Sequence, residues 1–185
     1  MNPSAPIWFV YALWLLLIVY LSVSAIGAKP NTERHLVQSF GLLFAMIAAF
    51  LLPRLSLFSF VNFAPVGPVA TGLGLALAVL GAAFLVWARQ CLGTNWSQTV
   101  SAKQVHELVT TGPYRLVRHP MYAGGLVASL GSAIVAGGAF VFLLVLLGAI
   151  FLWRVGAEDE LMAQQFPVQY PEYKKRNWAL FPFIY

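Results

Sequence analysis

Long apolar runs dominate this chain, and its polar residues gather in a few short clusters between them. Five apolar segments stand out, at residues 7–26, 36–52, 66–88, 121–136 and 139–155. A helix needs about 20 apolar residues to cross a bilayer, with ~17 as a lower limit. The pattern therefore predicts five transmembrane helices, the last two being marginal alone. Gly137-Gly138 leaves almost no loop between those two, which predicts a tight helical hairpin. Small residues (Gly124, Gly125, Ala128, Ser132) recur along the fourth segment, the pattern that lets helix backbones approach closely. The expected fold is an all-α integral membrane protein, a single domain over residues 1–185.

Composition agrees with this reading. Of 185 residues, 60% are hydrophobic and only 9% charged, against roughly 25% charged in a soluble domain. The net charge of +5 comes from basic residues dispersed among the apolar segments. It therefore orients the chain in the bilayer rather than pointing to nucleic acid. With five crossings, ten of the 11 basic residues fall on one side, and only Arg54 lies opposite. That side is predicted to be cytoplasmic, as in a bacterial-type inner membrane, with the N-terminus outside. All six acidic residues and all three histidines share it, so polar chemistry is expected there. The single cysteine, Cys91, excludes an internal disulfide and reads as a packing residue. No Lys or Arg precedes the first apolar run, which is too long for a signal-peptide core and reads as a retained helix.

Two polar segments are long enough to build a site, residues 89–120 and 154–185. The first ends in Arg118-His119-Pro120-Met121-Tyr122. Pro120 suits the first turn of the fourth helix and biases His119 away from helical geometry. The amides at such a helix start carry positive partial charge, which would suit a ligand carboxylate. The plainer alternative makes Arg118 a membrane-orienting anchor and Tyr122 an interfacial aromatic. The second segment opens with Arg154 and Glu158-Asp159-Glu160 on a helix continuing over residues 157–165, interrupted by Pro167 and Pro171. Arg154 and Glu158 share a helical face, as a surface ion pair or as the wall of a site. The aromatic stretch 178–185 is too short to span and is expected to be an interfacial anchor. Familiar signals of other chemistries are missing. His106-Glu107 lacks the second histidine of a zinc helix, no metal site is expected, and Gly72-x-Gly74 reads as helix packing rather than dinucleotide binding.

Taken in order, Leu92-Gly93-x-Asn95-Trp96-Ser97, His106 through Tyr114, Arg118-His119-Pro120-Met121-Tyr122, Glu158-Asp159, Phe166-x-x-x-Tyr170-x-x-Tyr173-x-x-Arg176 and Leu180 through Phe183 resemble the isoprenylcysteine carboxyl methyltransferase family. This is a branch of the integral membrane methyltransferases that also includes phospholipid methyltransferases. The resemblance covers residues 87–183. It implies S-adenosylmethionine as cofactor, in a cytoplasmic pocket built from the loop before the fourth helix, the fourth and fifth helices and the C-terminal segment. By the same resemblance His106, Leu108, Val109, Tyr114, His119, Pro120, Met121, Tyr122 and Glu158 would contact the cofactor, and Arg154 would be a substrate-side arginine. Asp159 stands where the family usually has a second Glu, and Pro167 replaces a common Gly.

The residue types suit methyl transfer from a sulfonium. Aromatic faces accommodate the cation, and Arg154 or Arg118 could orient an acceptor carboxylate. The expected acceptor is a lipophilic small molecule or prenylated substrate arriving from the bilayer among the membrane lipids. Carboxyl O-methylation of an isoprenylcysteine-type acceptor heads the list; N- or S-methylation of a phospholipid or another small lipophile is the alternative. A non-catalytic scaffold or transporter is the reading from another class. Spans one to three contain no acidic residue or histidine, which argues against an ion relay.

Overall fold

The computed structural model describes residues 5–26, 67–93 and 107–183. The second apolar segment, 36–52, and His106 lie outside these residues. The described chain is helical: α1 (Ala5–Ile26), α2 (Pro68–Leu92), a 3-10 turn (Gly112–Arg115), α3 (Pro120–Ala136), α4 (Gly138–Gln165) and α5 (Gln169–Arg176). Among the described residues α1, α2 and α4 are long and apolar enough to cross a membrane, while α3, the fourth apolar segment, is a shorter apolar helix. The protein is an integral membrane protein.

Helix α3 starts at Pro120 with His119 as its N-cap, and ends at Gly137, whose φ of 68° reverses the chain into α4. Such a left-handed backbone favours glycine. α4 then runs unbroken from the apolar hairpin through the charged residues to Gln165.

α2 and α3 pack antiparallel along a seam of glycines and alanines. A Cβ on Gly81 would lie 2.4 Å from the Ala128 nitrogen, and one on Gly131 would lie 2.4 Å from the Ala78 nitrogen. In a bilayer, where lipid is as apolar as leucine, close backbone packing supplies much of the association energy. Gly74 belongs to this seam, whereas Gly72 faces open space. The packing role expected for Gly72-x-Gly74 therefore rests on Gly74.

α1 crosses the pair and buries Val10, Trp14 and Leu17 against Ala82, Leu85, Ala128, Val135 and the start of α4. Its buried indole donates to Ser132 Oγ at 2.9 Å. Near its other end, the buried Arg89 of α2 donates to the Ser24 carbonyl at 2.7 Å and to the Gly93 carbonyl at 2.9 Å. A fixed cation there offsets the negative partial charge of both helix C-termini. It also shows that α1 and α2 run in the same direction and end at the same polar face.

The C-terminal stretch departs from the expected surface anchor. Ala179 and Leu180 are buried against Val155 in a small second core. Backbone pairing explains this: Arg118 and His119 donate their N–H groups to the carbonyls of Trp178 and Ala179 at 2.8 and 3.0 Å. Trp178 and Phe183 remain exposed, so only part of the stretch is available as an anchor.

A candidate active site at the polar end of the bundle

Three segments converge where α3 begins. His119 and Tyr122 come from the α3 start, Arg154, Glu158 and Asp159 from the end of α4, and Tyr170 and Lys174 from α5. Each is placed by an identifiable local cause. Pro120 removes one orphan amide and holds His119 outside the helix, at φ −123° and ψ 61°. The 3.6-residue period of α4 sets Arg154 and Glu158 one turn apart, and Asp159 beside them.

The His119 ring lies between two carboxylates. Its Nε2 is 2.9 Å from Asp159 Oδ1 and its Nδ1 is 3.4 Å from Glu158 Oε2. A neutral imidazole has one donor and one acceptor nitrogen, but both nitrogens here face acceptors, so the ring is a cation. Burial pulls its pKa down, but hydrogen bonding to Asp159 and then Glu158 outweighs this and raises it above the ordinary histidine value. The raised folded value has a definite sign. The stability it contributes is complete below the unfolded value of about 6.5 and is lost as pH rises through the folded pKa. The gap in melting temperature between the native protein and His119→Gln in detergent should therefore narrow as pH is raised above neutrality. A constant gap would mean that the ring is neutral throughout.

Asp159 is the hub of the cluster. It is 5% exposed and receives Arg118 at 3.0 Å, Lys174 at 2.9 Å, His119 and the Tyr170 hydroxyl. Arg118 also donates to the carbonyls of Lys174 and Asn177. Its guanidinium thus ties α5 to the start of α3 and is committed to the protein itself. The Tyr170 hydroxyl is held above the usual phenol range, first by burial and then by its bond to Asp159. Tyr173 donates to the Tyr114 carbonyl at 2.6 Å and fastens the other side of α5.

Around Glu158 the arrangement is more open. Glu158 Oε1 accepts from Arg154 Nη2 at 3.0 Å and from the Tyr122 hydroxyl, which in turn accepts from Arg154 Nε at 2.9 Å. Tyr122 is stacked between two other rings, with centroids 5.6 Å from His119 and 4.4 Å from Phe151. The result is an aromatic wall with a carboxylate and a guanidinium at its rim, at the end of a membrane span.

The profile of the isoprenylcysteine carboxyl methyltransferase family matches residues 74–164. A protein-S-isoprenylcysteine O-methyltransferase of Saccharomyces cerevisiae is 30% identical over 151 residues, covering 80% of this chain and 62% of that protein. A probable protein-S-isoprenylcysteine O-methyltransferase of Oryza sativa subsp. indica is 28% identical over 167 residues, covering 88% of this chain and 83% of that one. The chain belongs to this methyltransferase family. A solved structure of the eukaryotic intramembrane Ras methyltransferase, isoprenylcysteine carboxyl methyltransferase, shares the fold, with a TM-score of 0.64 at 20% identity over 98% of this chain and 69% of that one. The chain spans less than two thirds of the yeast protein's length.

In this family member the structure joins His119, Tyr122, Arg154 and Glu158 into one bonded cluster. Pro120 is buried at the base of α3, and Met121 is half-buried against the main core. Tyr114 is buried in the 3-10 turn, where its backbone carbonyl, not its hydroxyl, receives Tyr173. Leu108 and Val109 are half-buried in the stretch ahead of that turn. The helix start offers a ligand fewer amides than the sequence reading supposed, because the N–H groups of Tyr122 and Ala123 both go to the His119 carbonyl. Sequence reasoning passed over Asp159 as a departure from the family pattern and missed Tyr170, Lys174 and Phe151. The Tyr170-x-x-Tyr173 spacing carried a signal for the first, whereas Phe151 sits in an apolar run and carried none.

Proposed function

We propose that this protein is an S-adenosylmethionine-dependent methyltransferase that esterifies the carboxylate of a lipophilic, isoprenylcysteine-type acceptor. The observation carrying this reading is the joint placement of the Tyr122 ring stack, Glu158 and Arg154 at the polar end of a membrane-spanning bundle. The residues fit the cofactor by their chemistry. Glu158 can accept from hydroxyl and amino groups, and the aromatic wall that Tyr122 and Phe151 build suits a neighbouring sulfonium cation. When bound, that group supplies a methyl already activated for transfer. No cluster of three or more potential metal ligands occurs among the described residues.

Within the site Arg154 has the acceptor-orienting role. Arg118 is occupied by Asp159 and two carbonyls, whereas Arg154 bonds Glu158 one turn away on its own helix and the Tyr122 hydroxyl, partners it can share with an incoming carboxylate. A carboxylate is nucleophilic as it stands, so the protein's task is alignment and exclusion of water. Orientation of this kind supplies at best about 7–11 kcal/mol of the barrier. The acceptor arrives from the bilayer and the cofactor from the aqueous side. His106, Leu108, Val109, Tyr114, Pro120 and Met121 complete the cofactor side of this proposal. Purified protein incubated with methyl-labelled S-adenosylmethionine should label a prenylcysteine acceptor. Labelling of a phospholipid amine or another lipophile instead would move the acceptor class, and labelling of no member of the panel would overturn the reading.

We further propose five spans with the active site facing the cytoplasm of a bacterial-type inner membrane. Support comes from α1 and α2, which run in the same direction, so the chain has to return across the bilayer between them. The 36–52 segment is apolar enough to do so. In a Cys91→Ala background, single cysteines at Ser4 and Gln169 should be labelled from opposite sides of the membrane. Labelling of both from one side would reject this topology.

A further inference from the structure

Beside the proposed methyl-transfer site lies a second polar feature. A cleft of about 410 Å³ opens between α5 and the C-terminal segment, lined by Arg118, Lys174, Lys175 and Arg176, with Asp159 as the carboxylate among them. Asp159 is already saturated by four donors. Lys174, in addition to its bond with Asp159, is half-exposed, and Lys175 is 71% exposed and paired with Glu172 one turn back on the same short helix. Arg176 is exposed and forms no ion pair among the described residues. The cleft thus presents more positive charge than its own carboxylates balance.

Its depth relative to the membrane is set by the fold. Asp159, in the cleft lining, lies four residues beyond the apolar stretch of α4 that crosses the bilayer, so the cleft lies at the membrane surface. Two aromatic side chains stand in the open here: Trp178, part of the lining, at 43% and its neighbour Phe183 at 87% exposure. The Trp178 and Phe183 rings contact each other, with centroids 5.6 Å apart. Exposed aromatics beside clustered cations are the residues that settle into the boundary between headgroups and acyl chains. A soluble anion would use the cations and leave these aromatics without purpose. A lipid uses both.

We propose that this cleft binds the phosphate headgroup of an anionic membrane lipid, with Lys175 and Arg176 supplying the selectivity over zwitterionic lipids. The proposal requires neither cofactor nor turnover and stands apart from the reading of the methyl-transfer site. Native mass spectrometry of the protein released from micelles containing equal amounts of phosphatidylglycerol and phosphatidylcholine tests it. The native protein should retain a first phosphatidylglycerol with a preference of about tenfold or more, since each surface cation near an anionic lipid contributes several-fold. Lys175→Gln/Arg176→Gln should lose that preference, and Lys175→Glu/Arg176→Glu should invert it. Both side chains are exposed, so neither variant depends on a rebuilt core. Equal retention of the two lipids by the native protein would overturn the proposal, as would a preference that survives the charge reversal. Displacement of the bound lipid by inorganic phosphate at equal concentration would also overturn it, because the cleft would then be a soluble-anion site.

Discussion

Glu158→Gln is expected to weaken binding of S-adenosylmethionine, or of its demethylated product, at least about tenfold, and to remove most methyl transfer. Glu158 accepts from Tyr122 and Arg154 on one oxygen and faces the His119 cation with the other. The amide keeps the size but loses the charge and one acceptor atom. It removes the carboxylate that Arg154 and Tyr122 share and leaves His119 with Asp159 alone, and breaking a buried charge pair costs about 3–5 kcal/mol. Arg154→Met should behave differently, sparing cofactor affinity while turnover falls. Arg154→Lys should recover only part of that turnover, because a point charge cannot reproduce a two-pronged fork. Calorimetry beside a radiolabel transfer assay separates the two effects. If both substitutions leave transfer untouched, the pair is a surface salt bridge. If Arg154→Met abolishes cofactor binding, the two-sided division of roles has to be redrawn.

The second large effect concerns the fold. Gly131→Val should destabilise the protein by more than about 3 kcal/mol. The new Cβ would sit 2.4 Å from a backbone nitrogen of α2 and 2.5 Å from a backbone carbonyl oxygen, and neither can move aside as a flexible side chain would. The helices must separate, and overpacking of a fitted interface already costs about 1–3 kcal/mol when side chains can adjust. Gly148→Val is the matched control, since a Cβ there meets only Leu126 at 4.0 Å. Gly72→Ala and Gly74→Ala give the same contrast two residues apart on one helix. Thermal unfolding in detergent reads all four. Equal melting temperatures for Gly131→Val and Gly148→Val would mean that α2 and α3 are not packed through this seam.

These two cases mark what could be read in advance. Helix positions followed from apolar length: α3 and α4 begin within a residue of the starts expected for their segments. The hairpin at Gly137 and the small-residue face of α3 were legible because each depends on one residue type in a fixed spacing. Pairing between distant segments was not. Nothing local in Arg118 says that it will serve Asp159 and the carbonyls of Lys174 and Asn177 rather than a ligand, because these partners lie 41, 56 and 59 residues downstream. The burial of Ala179 and Leu180 escaped for the same reason, their short apolar stretch being equally suited to a membrane surface. Asp159 looked like a loose substitution for glutamate until its four partners were known. The shorter side chain fits a position packed among four donors, with no ligand left to reach.

The pairing of Arg118 and His119 with Trp178 and Ala179 also fixes when the site can exist during synthesis. Each membrane helix can insert as it leaves the ribosome, but the residues that hold His119 and saturate Asp159 are made after all four of these helices. A nascent chain stopped at Gln165 would carry α1, α2, α3 and α4 with Asp159 lacking Tyr170 and Lys174, and the lead-in to α3 lacking its backbone partner. Competence to assemble this site is therefore conferred only once the stretch beyond α4 has been translated, and insertion into the bilayer alone does not confer it.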